Sequence, residues 1–187
     1  IRLDVDRYFD YLEAIDNNIV FAFSTQYSSN KLYKTSNGGT TWTELPKPPG
    51  QLVYSHFLNA NKGWTLSKNN DQLGVMYYTS NGGTTWTQKN DPDINPFYSG
   101  KFRFINDSTG FALAGFYVFK TTDSGRVWQP LPRDNNFTYL NYSHNDLQLL
   151  NANQLWAGGG HGLVEISTNG GGNPLPLAFF KADTTGV

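Results

Sequence analysis

The chain has 187 residues, a formal net charge of −1 and no cysteine. Its length corresponds to one ordinary domain of roughly 100–200 residues, and its near-neutral charge provides no basic surface for nucleic acid or an anionic membrane. Without cysteine, a disulfide framework and a thiolate metal site are excluded, and no apolar run approaches the ~20 residues that span a bilayer. We therefore expect neither a nucleic-acid partner nor membrane insertion.

The composition indicates an all-β protein. Aromatic residues make up 16% of the chain, glycine occurs 19 times, and Asn and Thr are abundant, whereas long helix-forming runs are missing. This combination is typical of many short strands joined by tight turns.

Two short motifs alternate along the chain. The first, here called the signature turn, reads IDNNIV at 15–20, LNANKGW at 58–64, INDSTGF at 105–111 and LNANQLW at 150–156. The second, here called the box, reads TSNGGTTW at 35–42 and again at 79–86, TTDSGRVW at 121–128 and STNGGGNP at 167–174. The equivalent Asn or Asp of successive boxes recurs at intervals of 44, 42 and 46 residues. Two motifs that recur in step indicate four structural repeats.

Each repeat has the size and content of one propeller blade. The third repeat reads as apolar stretches KFRFI, GFALAG and FYVFKT separated by polar turns, followed by the box and a last strand. About four short strands in ~44 residues match a blade, and stacked neighbours must cover its faces. We predict four blades at about residues 8–48, 49–95, 96–138 and 139–174.

The box residues are predicted to build a turn. Glycine allows the left-handed backbone that a tight connection needs, the Asn or Asp side chain accepts backbone N–H groups, and the Thr hydroxyl supports the same loop. The tryptophan is expected to bury its ring against the base of the hairpin. The structural box residues are Thr35, Asn37, Gly39, Trp42, Thr79, Asn81, Gly83, Trp86, Thr121, Asp123, Gly125, Trp128, Ser167, Asn169 and Gly171.

The box pattern S/T-x-D/N-x-G-x-T-W resembles the Asp-box, or BNR, repeat of sialidases, sortilin-type receptors, xyloglucan-degrading hydrolases and the photosystem II stability and assembly factor. The stretch INDSTGFALAG is most similar to that assembly factor and its secreted bacterial relatives. The resemblance implies a β-propeller in which the box joins the third and fourth strands of a blade, away from the central site. It also implies either a small closed ring of four blades or an arc of a larger ring.

The fourth copy departs from the pattern at Gly172, Asn173 and Pro174. We therefore expect the last strand of that blade to be irregular or missing. Residues 1–172 are assigned to the propeller. Residues 173–187 are interpreted as a proline-containing linker with the first strand of a following PKD-like or immunoglobulin-like domain, or alternatively as the closing strand of the last blade.

Aligning the signature turns yields one candidate ligand site, and the alternative is that its polar residues only mark where each strand begins in solvent. The positions two and four residues before the first apolar residue of each turn are polar or aromatic. If this strand is the innermost one, the eight side chains lie at the mouth of the channel. They are Glu13, His56, Arg103 and Gln148, together with Tyr11, Tyr54, Lys101 and Asp146.

The sequence contains only weak indications of a catalytic site or a metal site. A sialidase site, by the same resemblance, needs three arginines, and only Arg103 occupies a suitable strand. The carboxylates lack the context of a glycosidase pair, so no catalytic residue and no cofactor are predicted. His56, His144 and His161 lack metal-ligand spacing, and residues 90–95 (NDPDIN) lack the alternating frame of a calcium loop, so no metal site is predicted.

These observations favour a non-catalytic module that recognises a protein or a glycan. We expect it to belong to a secreted or cell-envelope protein with further domains. The alternative is a fragment of a propeller glycoside hydrolase or sialidase whose catalytic residues lie partly outside this chain. A third possibility is a purely architectural spacer.

Overall fold

The structure is a computed structural model that describes residues 9–25, 30–90, 100–114, 117–131, 144–159, 163–170 and 177–179. Every regular element in these residues is a β-strand, and the strands form four antiparallel sheets of four strands each. The predicted all-β fold of four four-stranded blades is therefore confirmed. No described segment forms a helix long and apolar enough to cross a membrane.

Blade one consists of β1 (Tyr11–Ala14), β2 (Val20–Ser24), β3 (Lys31–Thr35) and β4 (Thr43–Leu45). Blade two consists of β5 (Gln51–Phe57), β6 (Gly63–Lys68), β7 (Gly74–Thr79) and β8 (Thr87–Gln88). Blade three consists of β9 (Phe102–Phe104), β10 (Gly110–Ala114), β11 (Tyr117–Thr121) and β12 (Gln129–Pro130). Blade four consists of β13 (His144–Leu149), β14 (Leu155–Gly159), β15 (Leu163–Ser167) and β16 (Leu177–Phe179).

The strands of every sheet are neighbours in the order in which they occur in the chain. The signature turn joins the first and second strands, and the box joins the third and fourth. Both motifs therefore lie at the same end of the sheet, since antiparallel neighbours alternate in direction. Most of the buried apolar and aromatic residues lie on the first three strands of the blades, whereas the fourth strands β4, β8 and β12 are short and mostly exposed. Short, polar edge strands limit pairing with other chains.

Blade four has its fourth strand. Leu177–Phe179 pairs with β15, with Val164 opposite Ala178. Of the two alternatives expected for this strand, irregular or missing, the second is wrong, because a paired strand is present, although it begins well after the box. This part of the tail belongs to the sheet, as in the closing-strand alternative. Gly171 to Pro174, where the motif degenerates, lie outside the described residues.

The chain divides into two compact units, Ile1–Tyr98 and Ser99–Val187. In the first unit, blades one and two pack through aromatic rings. The rings of Phe21 and Phe57 are stacked with centroids 3.5 Å apart, and Phe57 also meets Trp86 edge-on at 6.1 Å. The indole Nε1 of Trp86 donates a 2.9 Å hydrogen bond to the carbonyl oxygen of Pro46. Large buried aromatic surfaces dominate core energetics, so this contact stabilises the first unit.

In the second unit, blades three and four share a core of one aromatic and six aliphatic buried side chains. Its buried members are Phe111, Leu113, Val118, Leu131, Leu147, Leu155 and Ala157. Ile105 and Leu149 pack against it from the partly buried rim. Both units therefore follow the expectation that a blade buries a face against its neighbour.

Candidate functional site

The eight predicted ligand-site residues lie on, or directly before, the first strand of their blades. Tyr11 and Glu13 are in β1, Tyr54 and His56 are in β5, and Asp146 and Gln148 are in β13. Arg103 is in β9, and Lys101 is the residue immediately before that strand. The signature-turn alignment thus selected equivalent positions in the four sheets. Within each unit, the structure brings residues of neighbouring blades into contact.

In the first unit the contacts join β1 to β5. The rings of Tyr11 and Tyr54 meet edge-on with centroids 5.4 Å apart. Nδ1 of His56 lies 2.9 Å from Oε1 of Glu13, and Oε2 of Glu13 accepts a 3.2 Å hydrogen bond from the backbone N–H of Phe57. The His56 side chain is only 10% exposed and that of Glu13 only 19%. Glu13 and His56 therefore link the two blades and present little surface to a ligand.

In the second unit, the positions equivalent to Tyr11 and Tyr54 are occupied by Lys101 and Asp146, which form an exposed ion pair. Nζ of Lys101 lies 3.1 Å from Oδ1 of Asp146, and the two side chains are 33% and 53% exposed. Gln148 is exposed and Arg103 is half-buried on the same two strands. Partial burial raises the pKa of Asp146, but the hydrogen bonds from Lys101 and from the Leu147 N–H outweigh it and leave the pKa below its usual value. These four side chains offer charged and amide groups to a ligand.

The first two boxes fold into the predicted turn. In the first, Oγ1 of Thr35 donates to Oδ1 of Asn37 at 3.0 Å and accepts from the N–H of Gly39 at 2.9 Å. Oδ1 of Asn37 also accepts from the N–H of Thr41 at 2.9 Å. The second box repeats all three bonds, at 3.0, 2.9 and 2.9 Å.

The third box keeps the same frame with a carboxylate in place of the amide. Asp123 accepts from the Thr121 hydroxyl at 2.8 Å and from the Val127 N–H at 2.9 Å. The fourth retains the bond from Ser167 to Asn169, at 3.1 Å, while Gly171 lies outside the described residues. The turn is held by bonds within a few residues, which is why the sequence alone predicts it.

The predicted left-handed glycines are confirmed, with φ of +87° at Gly39, +89° at Gly83 and +87° at Gly125. The residue before each of them is also left-handed. In the third box that residue is Ser124, with φ of +65°, a conformation that is unfavourable for a residue with a side chain.

The box tryptophans differ in burial. Trp128 is buried and packs edge-on to Phe104 with centroids 5.8 Å apart. Trp42 and Trp86 are only half-buried. The prediction that each ring is buried at the base of its hairpin is thus confirmed for Trp128. It is too strong for Trp42 and Trp86, because the burial of a ring also depends on the neighbouring residues that cover it.

The signature turns have a structural role that the sequence reading did not assign. In each, the side-chain oxygen of the second residue accepts two backbone N–H groups of the turn. For Asp16 the donors are Asn18 and Ile19, both at 2.8 Å, and these bonds lower its pKa. The equivalent acceptors are Asn59, Asn106 and Asn151. An Asx residue at a fixed place in a repeated turn is the signal that predicts this role.

Two lysines outside the predicted site join neighbouring blades. Nζ of Lys34 lies 5.1 Å above the ring of Phe21 and donates to the carbonyl oxygen of Ala60 at 2.9 Å. Lys120 does the same in the second unit, 5.4 Å above Phe111 and 2.7 Å from the Gly170 carbonyl oxygen. Both lysines directly precede the box threonine, in KTSNGG and KTTDSG.

The described residues contain no group of three His, Asp or Glu that could hold a metal ion. His56 pairs with Glu13, and His161 lies outside the described residues. Of the stretch NDPDIN, only Asn90 is described. Its amide is buried, accepting from the Met76 N–H at 2.6 Å and donating to the Gly74 carbonyl at 3.0 Å.

No family model and no curated protein matches the chain. Similar solved structures include YCF48 bound to a D1 peptide, which is 16% identical over 95% of this chain and 84% of its own, with a TM-score of 0.53. Another is the GH74 enzyme of Niastella koreensis, which is 17% identical over 88% of this chain, with a TM-score of 0.57. The match covers only 28% of that enzyme. At such low identities the similarity establishes the fold alone, and the fold of this chain is a β-propeller.

Proposed function

We propose that this chain is a non-catalytic recognition module that binds a segment of another protein at β9 and β13, the first strands of blades three and four. The observation that carries this proposal is the exposed Lys101–Asp146 pair, flanked by Arg103 and Gln148 on neighbouring strands. Positive, negative and amide groups on a rigid sheet edge can match the charges and amides of a polypeptide. The peptide held by the YCF48 structure supports a polypeptide as the ligand.

The box residues support the proposal indirectly. Their side chains are engaged in the turns, so they hold the blades and leave ligand contacts to other residues. We propose that the boxes are Asp-box repeats of the kind they resemble, and that the module is exported as part of a larger protein. A glycan is the second ligand class that such a sheet edge could bind.

The proposal can be tested by peptide selection on the whole chain. Immobilised protein would be panned against a random displayed peptide library, and enriched peptides would be titrated by fluorescence anisotropy. We expect Lys101→Ala/Asp146→Ala, which keeps the net charge, to weaken binding about tenfold. The control Asp107→Ala/Arg126→Ala is also charge-neutral and lies beyond the other end of β9. No enrichment, or equal loss in both variants, would overturn the proposed site.

A glycoside hydrolase is the competing function, favoured by the similarity to the GH74 enzyme. A glycosidase needs a carboxylic acid whose pKa is raised toward neutrality. The described carboxylates with a shifted pKa are Asp16, Asp123 and Asp146, and all three are lowered. Release of reducing sugar from a panel of β-glucans and sialosides, abolished by a single carboxylate substitution, would establish hydrolysis and refute the recognition proposal.

A further inference from the structure

A polar cavity of about 470 Å³ lies between blades one and two of the first unit. It opens at the end of the sheets opposite the boxes, where β3 and β5 begin and β6 ends. Tyr11 of the candidate site, the first residue of β1, is also at this end. Its volume is within the range of small-ligand sites, roughly 300–1,000 Å³. Of the described residues that line it, none is acidic and none is aromatic.

Three lysines contribute to the lining, and only Lys31 has a carboxylate partner in the part of the chain that the structure describes. Lys31 is paired with Glu44, which also accepts from the hydroxyl of Tyr33. Lys47 donates to the carbonyl oxygen of Gly50, and Lys68 has no carboxylate partner among the described residues. Among the described residues, the ammonium groups of Lys47 and Lys68 therefore line one cavity without a carboxylate paired to either. Several positive charges that line one concave site attract an anion and hold it there.

The amide side chains of the cavity fall into two groups. Asn30 is structural, because it donates to the Leu52 carbonyl at 3.0 Å and accepts from the Leu52 N–H at 2.9 Å. Asn70 and Gln72, in the loop between β6 and β7, are exposed and have no side-chain hydrogen bond within the described part of the chain. A free amide offers both a donor and an acceptor, as a peptide backbone requires.

We infer that this cavity, the lysine pocket of Lys31, Lys47, Lys68, Asn70 and Gln72, binds acidic side chains of a polypeptide partner. Lysine ammonium groups act as mobile point charges suited to Asp and Glu carboxylates, and the two amides are suited to the adjoining peptide groups. A polypeptide is favoured over an acidic glycan because none of the described lining residues provides an aromatic face on which a sugar ring can stack. The inference rests on the proposed recognition of a protein and adds a second surface, in the first unit, that selects acidic side chains of the partner.

The test uses the whole chain and a fluorescein-labelled hexaglutamate peptide, followed by anisotropy at low ionic strength. Hexaglutamine is the uncharged probe, and an oligogalacturonate of similar length is the acidic glycan probe. We expect hexaglutamate to bind, hexaglutamine not to bind, and added salt to weaken binding because partly exposed charges are screened. Tighter binding of oligogalacturonate than of hexaglutamate would overturn the choice of a polypeptide.

The pocket variant is Lys47→Gln/Lys68→Gln, and the matched control is Lys62→Gln/Lys89→Gln, which removes the same charge outside the pocket. We expect the pocket variant to bind hexaglutamate about tenfold more weakly, at roughly threefold for each lysine, and the control to change binding by less than about threefold. Equal losses in the two variants would show non-specific attraction and overturn the pocket. Thermal unfolding of both variants checks that the fold is retained.

Two further outcomes separate the inference from the proposed function. If selected peptides bind normally to the pocket variant and hexaglutamate does not bind the wild type, the lysine pocket is refuted and the recognition proposal stands. If neither selected peptides nor hexaglutamate bind the wild type, both are refuted.

Discussion

The backbone N–H of Gly82 donates a 2.7 Å hydrogen bond to the carbonyl oxygen of Asn61. This bond joins the box of blade two to its signature turn, and the other three blades have the same bond. The pairs are Gly38 with Asn18 at 3.0 Å, Ser124 with Ser108 at 2.9 Å and Gly170 with Asn153 at 2.8 Å. The signature turn and the box recur together along the sequence because, in each repeat, a backbone hydrogen bond joins the two turns at one corner of the blade.

Replacing Gly82 by alanine should destabilise the first unit more than replacing Gly38. Both have left-handed backbones, with φ of +67° and +66°, and share that cost of roughly 1 kcal/mol. A Cβ on Gly82 would lie 2.7 Å from the Ala60 carbonyl oxygen, whereas a Cβ on Gly38 would lie 3.3 Å from that of Asn17. We expect Gly82→Ala to cost about 2–3 kcal/mol and Gly38→Ala about 1 kcal/mol.

Urea unfolding of the two variants, measured under the same conditions, checks this order. Equal destabilisation would mean that the turn of blade two relaxes away from Ala60 without cost, and that the corner is less rigid than its short hydrogen bond indicates.

Acid should weaken the third box selectively, because it alone uses a carboxylate. Burial raises the pKa of Asp123, but hydrogen bonds from the Val127 N–H and the Thr121 hydroxyl, with the charge of Arg126, outweigh it and lower the pKa below 3.8. A carboxyl group whose pKa is lower in the folded than in the unfolded state stabilises the protein at pH values above its unfolded-state pKa. This stabilisation is lost as the pH falls through the folded-state pKa. The sensitive window is therefore below about pH 4.

Asp123→Asn should lose less stability than the wild type between about pH 5 and pH 2, since an amide does not titrate in that range. The converse change, Asn81→Asp, should add acid sensitivity to the second box, where the same backbone bonds exist. Thermal unfolding midpoints across this pH range measure both effects. Parallel pH profiles for all three proteins would refute a role of Asp123 ionisation in the turn.

Glu13→Ala should destabilise the contact between blades one and two more than Glu13→Gln does. The alanine removes the partner of His56 and also leaves the partly buried N–H of Phe57 without its acceptor, at a cost of about 1–3 kcal/mol. Glutamine keeps an oxygen that can accept from Phe57, so its cost should be about 1 kcal/mol or less.

Hydrogen exchange at the Phe57 amide and urea unfolding distinguish the two variants. Faster exchange in Glu13→Ala than in Glu13→Gln is expected. Identical behaviour would mean that the carboxylate contributes nothing to holding β5 against β1.

Much of the fold was predictable because its determinants are local. The hydrogen bonds of the box span at most four residues, so TSNGGTTW carries the information for its own turn, including the left-handed Gly39 and Gly83. The blade count follows from the spacing of the motifs. The alignment of the signature turns also placed the eight candidate residues on, or directly before, equivalent first strands.

The sequence by itself therefore determined an all-β chain of four repeats, the turn that closes each of them and the strand that carries the polar candidates. Only the tertiary structure decided which of those candidates pair. Glu13 meets His56 and Lys101 meets Asp146 across blade boundaries, and Lys34 reaches Ala60 on the next blade. The lysine pocket likewise forms from segments of two blades. Such contacts depend on how one sheet is set against the next, which is fixed by long-range packing of rings such as Phe21 and Phe57, and no periodicity in the sequence encodes it.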